Sequence, residues 1–174
     1  MTTIKNQDIE LHDKYGILDN LCGKNLAIIS TSANPLHKGH LNIAHYIEEH
    51  LSEYAVIFEI TRLNCDKGHI SDEEIKERVS QFDKICRPVF VTERPNFVEK
   101  SYFFKNSVFC IGAETLVRID SNKYYFDDEK EKIRCFSAIA KNGCSFIIFE
   151  RDNTTFDDVQ NTLTPELAAI CKPA

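Results

Sequence analysis

Short apolar runs alternate along this chain with stretches whose apolar residues recur at helical spacing. "NLAIIS", 25–30, is nearly all apolar, the mark of a strand buried on both faces. In "GHLNIAHYIEEHL", 39–51, Leu41, Ile43, Ala44, Ile47 and Leu51 fall close to the 3.6-residue period and predict a helix. "YAVIFEITR", 54–62, predicts a second strand, and "SDEEIKERVSQFDKIC", 71–86, a second helix. In that helix Ser71 with Glu74 makes a capping-box pattern, and Ile75, Val79, Phe82 and Ile85 form the inner stripe.

Further strands are predicted at "PVFVTE" (88–93), "SVFCIG" (107–112) and "SFIIFE" (145–150). A helix over 127–143 opens on acidic residues and closes at Gly143. A last short helix starts in "TPELAAIC", with Thr164 as cap and Pro165 at the first helical position. Strands alternating with helices predict an α/β domain with a parallel, five-stranded sheet covered by helices on both faces. With no repeats and no low-complexity linker, one domain over 1–174 is expected. Its core runs from about 24 to 152, with an N-terminal extension (1–23) and a C-terminal segment (153–174). In such sheets ligands bind beyond the carboxyl ends of the strands.

Composition narrows the partners. A chain of 174 residues hides roughly 70% of its unfolded surface, enough for a real core. The net charge of −6 provides no broad basic field, so nucleic acid is not expected as a partner. The polar start "MTTIKNQDIELHDK" lacks the apolar region of a signal peptide. No apolar run nears the roughly 20 residues of a membrane span. A cytoplasmic protein with no membrane partner is the expectation. The seven cysteines are scattered, with no CxxC pair, and read as reduced thiols, several of them in apolar runs.

The chemistry concentrates in "IISTSANPLHKGHLNIAHYI", 28–47. A buried strand runs into a small polar loop and then into His37-Lys38-Gly39-His40 at the mouth of a helix. A helix N-terminus offers free N–H groups and the positive end of a dipole, which attract phosphate. Gly39 permits close approach of a ligand or of backbone. Imidazoles there can donate to phosphate oxygens and stabilise charge that grows on a phosphoryl group under attack. Taken alone, the pair reads equally as two satisfied surface histidines. After the second strand, Asn64, Asp66 and Lys67 are either part of a second binding pocket or a solvated turn. Phe97, Tyr102, Phe103 and Phe104 are either a stacking surface or core.

"STSANPLHKGH" resembles the HxGH signature of the nucleotidylyltransferase superfamily, in the strand–loop–helix setting that signature has there. Nicotinamide and nicotinate mononucleotide adenylyltransferases carry a similar "GSFDPPHKGH"-type segment. "IGAETLVRI" (111–119) looks like their "GAD" segment. "FEITRLNCDKGHIS", "TERPNFVEKSYFF", "SNKYYF" and "GCSFIIFERD" resemble a less studied branch of that group, so the likeness runs over roughly 24–152.

The resemblance implies a Rossmann-like fold and an enzyme that moves an adenylyl group from ATP to nicotinamide or nicotinate mononucleotide, releasing pyrophosphate. It implies catalytic roles for His40, at the α-phosphoryl group, and His37, at the triphosphate tail. Ser32, Ala33, Gly39, Gly112 and Glu114 would bind the nucleotide, and Asn34, Asn64, Asp66 and Lys67 the phosphorylated acceptor. Magnesium would travel with the nucleotide, with no dedicated protein site. The oligomeric state stays open, a homo-oligomer included.

The chain departs from the pattern twice. "STSAN" stands where the family has "GGSFD", and no late "SSTxxR"-type segment opens the last helix. Two alternatives therefore accompany the leading expectation: a cytidylyltransferase that uses CTP and a phosphorylated alcohol, and a nucleotide-binding protein without transferase activity.

Overall fold

A computed structural model of the chain describes residues 2–6, 8–17, 24–64, 68–150 and 154–174. They form two compact units, Met1–Asn96 and Phe97–Ala174. The first unit contains, in chain order, β1 (Thr2–Asn6), β2 (Ile9–Asp13), β3 (Asn25–Ser30), α1 (Lys38–His50), β4 (Tyr54–Thr61), β5 (Leu63–Asn64), β6 (Gly68–His69), α2 (Asp72–Lys84) and β7 (Val89–Thr92). Its sheet runs β1-β2-β7-β4-β3. The pairs β3–β4 and β4–β7 are parallel; β2–β7 and β1–β2 are antiparallel. β5 and β6 form a separate small antiparallel ladder.

β4 is the centre of this unit. Its residues from Ala55 to Ile60 are all buried, as a strand covered on both faces requires. Ile57, Phe58 and Ile60 lie against a core that includes Ile28, Ile29, Ile47 and Phe82. Each such side chain contributes about 1.5–3 kcal/mol by leaving water. α2 starts where expected: Ser71 Oγ accepts the Glu74 N–H at 3.2 Å. Its apolar stripe brings Phe82 to 5.0 Å from Phe58, ring centre to ring centre.

The second unit contains α3 (Phe97–Phe103), β8 (Val108–Gly112), α4 (Ala113–Ile119), a 3-10 turn (Asn122–Tyr125), α5 (Glu129–Lys141), β9 (Ser145–Phe149), α6 (Phe156–Val159), a second 3-10 turn (Gln160–Thr162), α7 (Pro165–Ala168) and β10 (Cys171–Pro173). β8, β9 and β10 pair in parallel in that order. The core gathers Phe109, Phe136, Phe146, Leu116 and Ile139. Phe97 packs edge-on against Phe109 and Phe146, and Phe104 is buried, whereas Tyr102 and Phe103 are exposed.

The architecture is α/β, with mostly parallel sheet flanked by helices, and is compatible with a Rossmann-like fold. The strand count differs from the expected five. All five expected strands are present, but β1 and β2 extend the sheet of the first unit and β10 that of the second. β2 lies inside the stretch taken as an extension. Its Ile9, Leu11 and Asp13 are buried and alternate with the half-buried Glu10 and His12, the period-2 signal of a strand with one covered face. The last helix is shorter than "TPELAAIC" suggests: it ends at Ala168 and the chain turns into a strand at Cys171. Pro173 cannot donate to a neighbour and sits in an edge strand, where no partner is needed. Thr164 occupies the cap position without capping. Its N–H and hydroxyl instead donate to the Asp120 carboxylate at 2.9 and 2.5 Å.

Among the described residues Cys86, Cys110, Cys135, Cys144 and Cys171 are free thiols. Burial pushes the Cys110 and Cys171 thiols up to about 12, and that of Cys144 upward as well.

Two stability tests follow from these contacts. Gly143 adopts φ +73°, and a Cβ there would collide with the Asn106 side-chain oxygen. Gly143→Ala is expected to cost at least about 1–2 kcal/mol from the left-handed backbone alone, seen as a lower denaturation midpoint. Arg87 hydrogen-bonds Glu48 through both guanidinium arms and holds its carboxyl below the ordinary value of 4.5, against the opposing effect of burial. A depressed carboxyl adds stability above its unfolded value and loses it as pH falls through the folded one. Urea unfolding on either side of pH 4.5 should therefore show less acid destabilisation in Glu48→Gln than in the parent chain.

Candidate functional site

The loop 31–37 begins at the carboxyl end of β3. The Thr31 N–H continues the sheet pairing by donating to the Glu59 carbonyl at 2.9 Å. The Thr31 hydroxyl then turns the chain: its Oγ1 accepts the Ala33 N–H at 2.9 Å. Ala33 is fully buried and lies in the left-handed region at φ +45°. Ser32, Asn34 and Pro35 are exposed beside it.

α1 starts immediately after, and the two histidines cap it. His37 Nδ1 accepts the Gly39 N–H at 3.1 Å, and His40 Nδ1 accepts the His37 N–H at 3.3 Å. Two imidazoles thus form a reciprocal capping box, a task more often given to a hydroxyl and a carboxylate. The rings stack, with centroids 3.9 Å apart and planes 29° from parallel. With both Nδ1 atoms accepting, the neutral rings carry their protons on Nε2. His40 Nε2 then donates to Thr31 Oγ1 at 2.9 Å. His37 is exposed, and its Nε2 has no hydrogen-bond partner among the described residues, so that N–H is open to solvent. Gly39 leaves room for the stack: a Cβ there would sit 3.0 Å from His37 Cε1 and 3.1 Å from its Nδ1, tight enough to displace the ring.

Nine of the eleven expected positions lie among the described residues, seven of them in the first unit. Ser32, Ala33, Asn34, His37, Gly39 and His40 come together in one loop and helix start. Ala33 is present there through its backbone alone, because its side chain is buried. Asn64 ends β5, in the same unit. Asp66 and Lys67 lie outside the described residues. Gly112 and Glu114 belong to the second unit, where Gly112 ends β8 as the cap position of α4 and Glu114 stands in that helix's first turn.

Four residues of the site are not among the expected site residues. Thr31 is the hub just described. Gln81 and Arg78 reach the loop from α2, with hydrogen bonds to the Ala33 and Ser32 carbonyls at 2.8 and 2.7 Å. Glu59 is buried completely beneath the strand ends, and its Oε1 accepts from the Thr61 and Thr92 hydroxyls at 2.9 and 2.6 Å. The charge inside the apolar run "VIFEIT" is the one sequence signal that marks Glu59. Gln81 lies more than forty positions from the loop it holds (48 from Ala33), and nothing local announces it.

The assembly can bind an anion. It offers the start of α1, the His37 imidazole N–H and, in the exposed loop, the Asn34 N–H, which has no partner among the described residues. Comparisons with models of known protein families and with curated proteins find no match.

The histidine stack yields a direct test. In Gly39→Ala the new methyl group pushes on the His37 ring. The ring resonances of His37 and His40 should both shift in two-dimensional NMR while the remaining spectrum is kept. Unmoved resonances would remove the packing role given to Gly39.

Proposed function

We propose that this chain is a nucleotidylyltransferase that moves the adenylyl group of ATP to nicotinamide or nicotinate mononucleotide. A phosphate oxygen of the acceptor attacks the α-phosphorus of ATP. The bond from that phosphorus to the bridging oxygen of the β-phosphate breaks, and pyrophosphate leaves. Both nucleophile and leaving group belong to the substrates, so the protein needs no nucleophile of its own. Its contribution is positioning and electrostatic stabilisation.

The observation that carries this reading is the pair of imidazoles capping α1 at the end of β3. His37 directs an N–H outward, where it can take the triphosphate tail. His40 is assigned to the α-phosphoryl group: its Nε2–H, held on Thr31 Oγ1 in the free protein, would turn to the phosphoryl oxygen as charge builds there. Ser32, Ala33 and Gly39 contribute close backbone to the nucleotide, with Gly112 and Glu114 as further nucleotide contacts. The Asn34 side chain, with Asn64, Asp66 and Lys67, is assigned to the acceptor, while the Asn34 backbone N–H is left for the phosphates of the nucleotide. Among the described residues no group of three His, Cys, Asp or Glu side chains is arranged as a metal cage. Magnesium would travel with the phosphates of the substrate, where it neutralises charge. A cytoplasmic location fits this chemistry, and among the described residues no helix is long and apolar enough to cross a membrane.

A second reading, a nucleotide-binding protein without transferase activity, is favoured by one observation. The helix that would carry a late phosphate grip is the single turn Pro165–Ala168, and it has no arginine.

The test is pyrophosphate release by the purified protein with magnesium. ATP and CTP are each paired with nicotinamide mononucleotide, nicotinate mononucleotide, phosphocholine and glycerol 3-phosphate. Release is expected only with ATP and a pyridine mononucleotide, falling about 100- to 1000-fold in His40→Ala. Release with CTP and an alcohol phosphate would move the assignment to the cytidylyl reaction. Silence with every pair would leave the binding protein.

A further inference from the structure

α2 reaches the loop with two side chains one turn apart. Gln81 uses both ends of its amide: Nε2 donates to the Ala33 carbonyl at 2.8 Å, and Oε1 accepts the Leu36 N–H at 2.9 Å. The two contacts fix the amide's orientation, because reversing it would set donor against donor and acceptor against acceptor. Arg78 is only 8% exposed. It donates Nη1 to the Ser32 carbonyl at 2.7 Å and Nη2 to the Glu74 carboxylate. Its buried Nε–H has no hydrogen-bond partner among the described residues.

These bonds decide where the loop's own donors point. In a trans peptide the C=O and the following N–H are directed oppositely. Drawing the Ala33 carbonyl towards α2 therefore turns the Asn34 N–H away from α2. Asn34 is exposed, and its N–H has no partner among the described residues. The same bonds hold Ala33 at φ +45°, a conformation costly for a residue with a side chain. α2 is anchored separately by Ile75, Val79 and Phe82, so the hydrogen bonds to the loop are not what attaches the helix.

We propose that Gln81 and Arg78 are positioning residues for the anion site. They impose the loop shape that presents the Asn34 N–H to a phosphate oxygen, with Arg78, ion-paired to Glu74, bracing the Ser32 carbonyl from behind the loop. The identification of that anion as the polyphosphate of a nucleotide rests on the function proposed above.

The experiment compares the parent chain with Gln81→Leu, Gln81→Glu and Arg78→Met. Inorganic pyrophosphate and ATP are titrated by calorimetry, and the Asn34 amide is followed by ¹⁵N NMR. In the parent chain the Asn34 amide should shift as pyrophosphate binds. Gln81→Leu should weaken binding about tenfold, the worth of one well-placed hydrogen bond, and abolish that shift. Gln81→Glu keeps the shape but loses the donor, and should behave alike; it carries the comparison if Gln81→Leu does not fold. Arg78→Met should also weaken both ligands.

Variants that bind as the parent does, with the same Asn34 shift, would overturn the positioning role and leave the transferase reading intact. A parent chain that binds pyrophosphate with the Asn34 shift, yet transfers nothing, would overturn that reading and leave the positioning role intact. A parent chain that binds neither probe would overturn both.

Discussion

The end of a buried strand leaves backbone donors and acceptors that must find partners, and the rest of the site depends on how β3 meets that demand. The Thr31 N–H takes the next step of the sheet on the Glu59 carbonyl. Its hydroxyl accepts the Ala33 N–H and meets His40 Nε2. Gln81 serves the Ala33 carbonyl and the Leu36 N–H. Once these obligations are met, the path of the loop is set by its hydrogen bonds. A glycine-rich loop would reach a phosphate by having no side chains in the way. "STSAN" keeps its side chains and relies on hydrogen bonds to control them.

Much of the fold was legible because its signals are local. β3, β4, β7, β8 and β9 are apolar runs bounded by turns, and α1, α2 and α5 carry both periodicity and caps. Gly143 marks the close of α5 by its left-handed backbone. Edge strands give weaker signals. β2 buries only alternate residues, so "IELHD" reads as polar unless its period is counted. β10 is three residues long and includes a proline, and its strand character comes from pairing with β9. α7 stops early for a related reason: an apolar "LAAIC" suits a helix as well as the turn and strand that the neighbouring backbone selects.

The site divides in the same way. His37, Gly39 and His40 are visible in the sequence because their spacing is the geometry of one helix start. The supports are not, because they arrive from other elements. Arg78 and Gln81 are ordinary polar residues of an amphipathic helix until the fold carries them to Ser32 and Ala33. Thr31 reads as a substitution for glycine, yet its hydroxyl provides the turn and orients His40. The aromatic stretch after residue 96 also divides by tertiary context: Phe97 and Phe104 turn inward, Tyr102 and Phe103 outward.

The Glu59 carboxylate also ties three positions on two strands into one unit of inheritance. Its Oε1 takes the hydroxyls of Thr61 and Thr92, all close beneath the strand ends. Exchanging the glutamate for an apolar residue strands two hydroxyls, and exchanging either threonine strips a donor from a carboxylate that water does not reach. Each single step is costly. Substitutions at 59, 61 and 92 are therefore energetically coupled, and the effect of any one depends on which residues occupy the other two.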